Sequence, residues 1–102
     1  MQQIIIGTVA DDDFGALVAH RRRRLGMSQR DLADRVCVVS GRPTFTRHEL
    51  SRYERGVRLP GRTMIAVLAA VLDVPVALLM NAIETTLTRR HHDNDVEPPR
   101  ST

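Results

Sequence analysis

With 102 residues, the chain has room for one domain and short tails. Its residues are 42 % hydrophobic but only 3 % aromatic, which favours an aliphatic core of packed helices over a β-sandwich. No apolar run approaches the roughly 18 residues that span a bilayer, the first residues do not resemble a signal peptide, and the lone Cys37 excludes an internal disulfide. The net charge is +3, and these features together predict a cytoplasmic protein without membrane association.

The N-terminal segment, residues 1–10, is predicted to be an arm or a short strand, because Ile4-Ile5-Ile6 and Val9 are β-branched. Asp11-Asp12-Asp13 then supplies an N-cap and acidic side chains for a first helical turn. Apolar residues follow at helical spacing as far as Leu25, and Gly26 is a typical C-terminal stop. A first helix is therefore predicted between these signals.

A second helix is predicted to begin at Gln29, because Ser28-Gln29-Arg30-Asp31 resembles a capping box with Asp in the place of Glu. Its apolar residues recur every three to four positions; they are Leu32, Ala33, Val36 and Val39. The helix is broken at Ser40-Gly41-Arg42-Pro43, where glycine and proline disfavour its continuation.

The clearest local signal belongs to a third helix. Thr46-Arg47-His48-Glu49 is a capping box of the Thr-x-x-Glu form, and Phe45 and Leu50 stand where a hydrophobic staple is expected. This pattern predicts a short helix over residues 47–55, closed by Gly56, with the Glu49 side chain engaged in the capping box.

Two further helices are predicted in the C-terminal half. The fourth begins at Gly61 or Arg62, and the fifth has Pro75 at its first position. The fifth helix is predicted to end near Arg89, and its apolar face consists of Val76, Leu79, Met80, Ile83 and Leu87. Residues 91–102 are polar and rich in proline, which predicts a disordered tail. The predicted organisation is an arm over 1–10, one domain over 11–90 and a tail over 91–102.

Charge is distributed unevenly along the chain, and all fifteen basic residues are arginine. Residues 14–62 hold twelve arginines and four acidic residues, a net +8, whereas three arginines and eight acidic residues elsewhere give −5. A basic centre between acidic flanks is typical of a module that binds a polyanion. No Ser/His/Asp constellation, glycine-rich phosphate loop or paired-cysteine site occurs, so the sequence predicts no enzyme, no cofactor and no metal.

The capped helix pair resembles the lambda-repressor-like, xenobiotic-response-element (Cro/C1-type) family of helix-turn-helix DNA-binding proteins. The residues that carry the resemblance are Phe14-Gly15, Arg22, Gly26-Met27-Ser28-Gln29, Leu32-Ala33, Leu50-Ser51-Arg52-Tyr53-Glu54-Arg55-Gly56, Pro60 and Leu72-Asp73-Val74-Pro75. The resemblance implies an all-α, five-helix DNA-binding domain. One departure is a longer connection between helices 2 and 3 than the usual 3 to 4 residues, as in a variant among actinobacterial regulators. Either helix 2 is longer, or the turn bulges, or both.

The resemblance also implies roles for individual residues, with helix 3 entering the major groove. It implies base contacts by Arg47, His48 and Arg52, in which each arginine forks onto a guanine edge. Arg22 and Glu54 match a buried structural pair that locks helix 1 to helix 3. The implied phosphate contacts are Gln29, Arg42, Thr46, Tyr53, Arg55, Arg58 and Arg62.

The leading hypothesis is a sequence-specific, repressor-like transcriptional regulator that binds double-stranded DNA as a homodimer in the nucleoid. The apolar stripe of helix 5 is explained equally by dimerisation and by ordinary core packing. Two alternatives stay open. One is an antitoxin or adaptor whose Ile4-Ile5-Ile6 arm pairs with a protein partner, and the other is an architectural DNA binder with low sequence preference.

Overall fold

The computed structural model describes residues 13–96, and their side chains as far as residue 90. These residues form five α-helices, namely α1 (Phe14–Arg24), α2 (Gln29–Ser40), α3 (Arg47–Glu54), α4 (Arg62–Leu72) and α5 (Val76–Val96). No strand occurs between residues 13 and 96, and the predicted five-helix, all-α fold is confirmed. None of these helices is both long and apolar enough to cross a membrane. The predicted arm at residues 1–10 lies outside the described residues.

A single core joins the five helices, and each helix packs against at least two others. Apart from Phe14, the fully buried side chains are aliphatic; they include Val18, Leu32, Val36, Leu50, Leu68, Leu72 and Leu79. All three aromatic residues of the chain meet in one cluster, where the Tyr53 ring lies 6.1 Å from Phe14 and 6.0 Å from Phe45. Each such pair contributes about 0.5–1.5 kcal/mol beyond its buried area. The few aromatic rings therefore fasten α1 and the segment before α3 to α3 itself.

Local side-chain caps explain where the first two helices begin. The Asp13 carboxylate accepts a hydrogen bond from the amide of Ala16 at 2.9 Å, which caps α1. At the start of α2 the Ser28 hydroxyl accepts from the Asp31 amide, and the Asp31 carboxylate accepts from the Ser28 amide, both at 3.0 Å. The predicted Ser28–Asp31 capping box is thus confirmed. Hydrogen bonding from the Ser28 backbone amide, and to a lesser extent from the Ser28 side chain, lowers the pKa of the Asp31 carboxyl, so this group stays ionised at the N-terminus of α2.

Helix α5 extends beyond its predicted end. It runs to Val96, so residues 91–96 belong to the helix and not to the tail that the polar composition predicts. The physical reason is that residues 91–97 contain no glycine or proline, and the first helix-breaking residue is Pro98. Polarity alone does not end a helix when its backbone hydrogen bonds can continue.

The C-terminal half of α5 is fastened to the ends of two other helices. The buried Thr86 hydroxyl accepts a hydrogen bond from the Phe14 amide at 2.8 Å and donates to the Ala82 carbonyl at 3.1 Å. One turn further on, the Arg90 guanidinium donates to the carbonyl of Gly56, two residues after the end of α3. Helix α5 therefore contacts both the N-terminus of α1 and the C-terminal end of α3.

Replacing Thr86 by valine is expected to lower the free energy of unfolding by about 1–3 kcal/mol. The change keeps the shape of the side chain but leaves the buried Phe14 amide without its acceptor. Urea unfolding followed by circular dichroism measures this loss. Thr86→Ser retains the hydroxyl and is the matched control, so a loss of equal size in both variants would contradict the proposed cap.

Candidate nucleic-acid interface

The connection between α2 and α3 is longer than a tight turn for two reasons at once. Helix α2 continues to Ser40, and the connection then occupies residues 41–46. Gly41 ends α2 in the left-handed conformation with φ of 75°, which is accessible to glycine without steric cost. The Cys37 thiol donates to the carbonyl of Phe45 at 3.1 Å, so the end of α2 holds the beginning of α3. Both the helix and the turn are therefore extended.

Helix α3 begins at the predicted cap, but only half of the capping box is formed. The Thr46 hydroxyl accepts from the Glu49 amide at 3.4 Å. Within the described residues, the Thr46 amide does not donate to the Glu49 carboxylate in return, so the predicted engagement of Glu49 is wrong. Phe45 and Leu50 are both buried in the core, as the hydrophobic staple requires. The start of α3 is therefore fixed by the Thr46 cap and the staple, and the Glu49 carboxylate remains available.

One face of α3 is exposed and carries the three residues for which the resemblance implies base contacts. Arg47, His48 and Arg52 are all exposed, whereas Leu50 and Tyr53 on the opposite face are buried. The side chains of the three exposed residues make no hydrogen bond or ion pair with other parts of the described chain. Arg47 and His48 also border a cleft of about 380 Å³ between α2 and the start of α3. The outer face of α3 is thus a surface of uncommitted polar groups.

The inner face of α3 is locked to α1 and α2 by hydrogen bonds to Glu54. Its carboxylate accepts from Arg22 Nε at 2.6 Å and from Arg22 Nη2 at 3.2 Å. The Gln29 side-chain amide donates to the same carboxylate at 3.0 Å, a contact that the sequence analysis misses. Arg22 Nη1 also donates to the Met27 carbonyl at 2.8 Å. The Arg22 and Glu54 side chains are only 11 % and 8 % exposed, so this network lies largely out of water.

The residues with implied phosphate contacts fall into two groups. Gln29 is half-buried and commits one of its two amide hydrogens to Glu54. Tyr53 is buried, with 7 % of its surface exposed, and this burial raises the pKa of its phenol above the ordinary value. The others are exposed around the ends of α3; they are Arg42, Thr46, Arg55, Arg58 and Arg62. The side chain of Arg55 donates to the Ser51 hydroxyl at 3.3 Å.

A smaller cleft of about 110 Å³ lies on the flank of α3, where the connection meets the loop after α3. We call it the Tyr53 cleft. Its polar lining residues are Arg42, Thr44, Glu49, Tyr53 and Arg58, and Phe45 contributes an apolar wall. Three of the seven residues with implied phosphate contacts line this cleft; they are Arg42, Tyr53 and Arg58. The cleft therefore brings together three of those residues, which the sequence separates by as many as sixteen positions.

The four consecutive arginines of α1 make different contacts. Arg21 Nε donates to the Leu72 carbonyl at 2.9 Å, where it caps the end of α4, and Arg22 binds Glu54. Arg23 and Arg24 are exposed. Successive positions on a helix point in different directions, so the run does not form a single basic patch.

A model of the helix-turn-helix domain family matches residues 13–82, about two thirds of the chain. The chain therefore belongs to the helix-turn-helix domain family, whose members are DNA-binding domains and typically have no enzymatic activity. No curated protein and no solved structure matches the chain. The match spans all of α1 to α4 but ends within α5, which leaves the contacts of Thr86 and Arg90 outside the matched residues.

Proposed function

We propose that the protein is a sequence-specific, repressor-like transcriptional regulator that reads the major groove with α3. The observation that carries this proposal is the contrast between the two faces of α3. The inner face is held by Glu54 and Tyr53, whereas the outer face presents Arg47, His48 and Arg52 without partners in the described chain. A rigidly held helix with uncommitted donors on its outer face is the arrangement that base readout requires.

The chemistry of the exposed side chains fits the edges of base pairs. Arg47 and Arg52 each present a planar fork that can donate to O6 and N7 of guanine, which contributes about 1–3 kcal/mol of discrimination per base pair. His48 offers a donor or an acceptor according to its tautomer. The exposed arginines around the ends of α3 then fix the register through phosphate contacts. The basic centre of the chain supports this function, because it attracts DNA irrespective of sequence.

Binding as a homodimer follows from the same proposal. A symmetric pair places two recognition helices about 34 Å apart, in successive major grooves. Support comes from α5, where Val76, Met80 and Leu87 are 43 %, 51 % and 48 % exposed, although Leu79 in the same helix is fully buried. One part of the apolar stripe therefore serves the core, and the other part is free to contact a second copy.

Selection of duplexes from a random pool tests this function. The wild-type protein is expected to recover a preferred, symmetric sequence. Arg52→Gln should lower discrimination at one base position per half-site by about tenfold, since a guanine contact is lost. Arg62→Gln should instead weaken binding to all sequences. It should also reduce the slope of log affinity against log salt concentration by about 1, as expected for the loss of one phosphate contact. Arg35→Gln changes an exposed arginine to which no contact is assigned, and it should alter neither property.

The same experiment separates the alternatives. Tight binding without any sequence preference would favour an architectural DNA binder. Failure of the wild-type protein to bind any duplex would favour the antitoxin or adaptor hypothesis, in which the function resides in a protein contact. Identical effects of Arg52→Gln and Arg62→Gln would contradict the division between base-reading and phosphate-binding residues.

A further inference from the structure

The Tyr53 cleft is assembled from three segments that only the fold brings together. The connection provides Arg42 and Thr44, the loop after α3 provides Arg58, and α3 itself provides Glu49 and Tyr53. Its volume of about 110 Å³ is well above the roughly 10–15 Å³ that a single water molecule needs. The contribution of Arg42 and Thr44 depends on the long connection, because both lie within residues 41–46.

The Tyr53 hydroxyl forms no hydrogen bond with the part of the chain that the structure describes. More than nine tenths of the residue is buried, and its ring packs against Phe14 and Phe45. No polar side-chain atom among the described residues is both buried and without a partner, so the hydroxyl itself reaches the accessible surface of the cleft, where a ligand can take the place of water. Burial raises the pKa of this phenol, while Arg58 and Arg42 act in the opposite direction. At neutral pH the hydroxyl is therefore protonated and able to donate.

The charges around the hydroxyl favour an anion. Arg42 and Arg58 contribute two positive charges, and neither guanidinium forms a hydrogen bond or ion pair within the described chain. Glu49 contributes one negative charge, which is available because its half of the capping box is not formed. The net charge of the lining is thus +1, with two arginine forks whose planar geometry suits an oxyanion.

We propose that the Tyr53 cleft is a preformed binding site for one phosphate group. Arg42 and Arg58 supply the charge, and the hydroxyls of Tyr53 and Thr44 supply neutral donors. This goes beyond the proposed function, where these residues are separate contacts to a DNA backbone, because the site takes phosphate in the absence of DNA. The phosphate group has two possible sources. One is the DNA backbone, and this source rests on the proposed function; the other is a free phosphorylated compound.

Titration of the full chain with inorganic phosphate, at constant ionic strength and followed by NMR, tests the site directly. The signals of Arg42, Thr44, Tyr53 and Arg58 are expected to shift together and to saturate. Tyr53→Phe keeps the ring and should weaken binding about fivefold, and Arg58→Gln should weaken it about tenfold, because hydrogen bonds to charged donors are the stronger ones. Arg35→Gln is the control for the loss of one positive charge elsewhere on the surface and should leave the affinity unchanged.

Glu49→Gln provides the sharpest discrimination, because it should act in the opposite direction. Removal of the one negative charge in the lining is expected to tighten phosphate binding severalfold. A cleft that does not bind phosphate would show no such increase in affinity. Unchanged affinity in Glu49→Gln and Tyr53→Phe, or shifts spread evenly over the surface arginines, would overturn the proposal.

A labelled duplex distinguishes the two sources of the phosphate group. If inorganic phosphate competes with the duplex, and Tyr53→Phe weakens both, the site receives a phosphate of the DNA backbone. If phosphate binds in the cleft without competition, the ligand is a free phosphorylated compound. If duplex binding depends on Arg52 but inorganic phosphate does not shift the NMR signals of the cleft residues, the phosphate site is refuted while the proposed function stands. If inorganic phosphate binds in the cleft but no duplex binds, the phosphate site stands and the proposed function is refuted.

Discussion

Replacing Glu54 by alanine is expected to lower the free energy of unfolding by about 3 kcal/mol. The change leaves Arg22 as a largely buried cation without its carboxylate, and removal of one partner of a buried ion pair costs about 3–5 kcal/mol. The lower end of that range applies because Arg22 keeps its bond to the Met27 carbonyl. For a domain whose total stability is about 5–15 kcal/mol, this loss is large enough to be resolved readily by urea unfolding.

Two further variants show whether the loss comes from the ion pair. Glu84→Ala removes an exposed carboxylate on α5 and should change stability by no more than about 0.5 kcal/mol. The double variant Arg22→Met, Glu54→Leu replaces both charges with apolar side chains and should recover much of the stability lost in Glu54→Ala. A loss in Glu54→Ala no larger than that in Glu84→Ala would show that the pair does not hold α1 against α3.

Replacing Gly15 by alanine is expected to destabilise the fold by about 1–3 kcal/mol, although helix propensity alone predicts stabilisation by about 1 kcal/mol. A Cβ at this position would overlap the backbone carbonyl oxygens of Glu54 and of Tyr53, the latter at 2.7 Å. Backbone atoms cannot rotate away as a flexible side chain can, so α1 and α3 must separate. The sign of the change therefore decides between local propensity and close helix packing.

Gly61→Ala is the matched control for this substitution. Gly61 is the N-cap of α4, its backbone is extended, and no atom lies within 4 Å of a Cβ built there. Its change in stability should not exceed about 1 kcal/mol. If Gly15→Ala were as stable as the wild type, the close approach of α1 to the end of α3 would be less rigid than the structure shows.

The predictable part of this fold is the part encoded by neighbouring residues. Ser28 and Asp31 lie three positions apart, and their side chains cap the helix that they predict. The staple residues Phe45 and Leu50 likewise predict the start of α3 from local sequence. These capping signals can be recognised in the sequence because a helix end exposes backbone amides that only nearby side chains can reach.

The parts that escaped prediction depend on contacts between distant residues. The bond from Phe14 to Thr86 spans 72 positions, and the bond from Gln29 to Glu54 spans 25. Neither produces a periodic pattern, because each needs the relative placement of whole helices. The Tyr53 cleft is of the same kind, since Arg42, Tyr53 and Arg58 converge only after the connection has folded.

The attachment of α5 has a thermodynamic consequence for any regulation of this protein. Through Thr86 and Arg90 the last helix is joined to α1 and to the end of α3, while Val76, Met80 and Leu87 are exposed. Under the proposed function, we expect a molecule that covers those apolar side chains and stiffens α5 to restrain α3 as well. Such a linkage would be reciprocal, so the factor by which the covering molecule tightened DNA binding would equal the factor by which DNA tightened binding of the covering molecule.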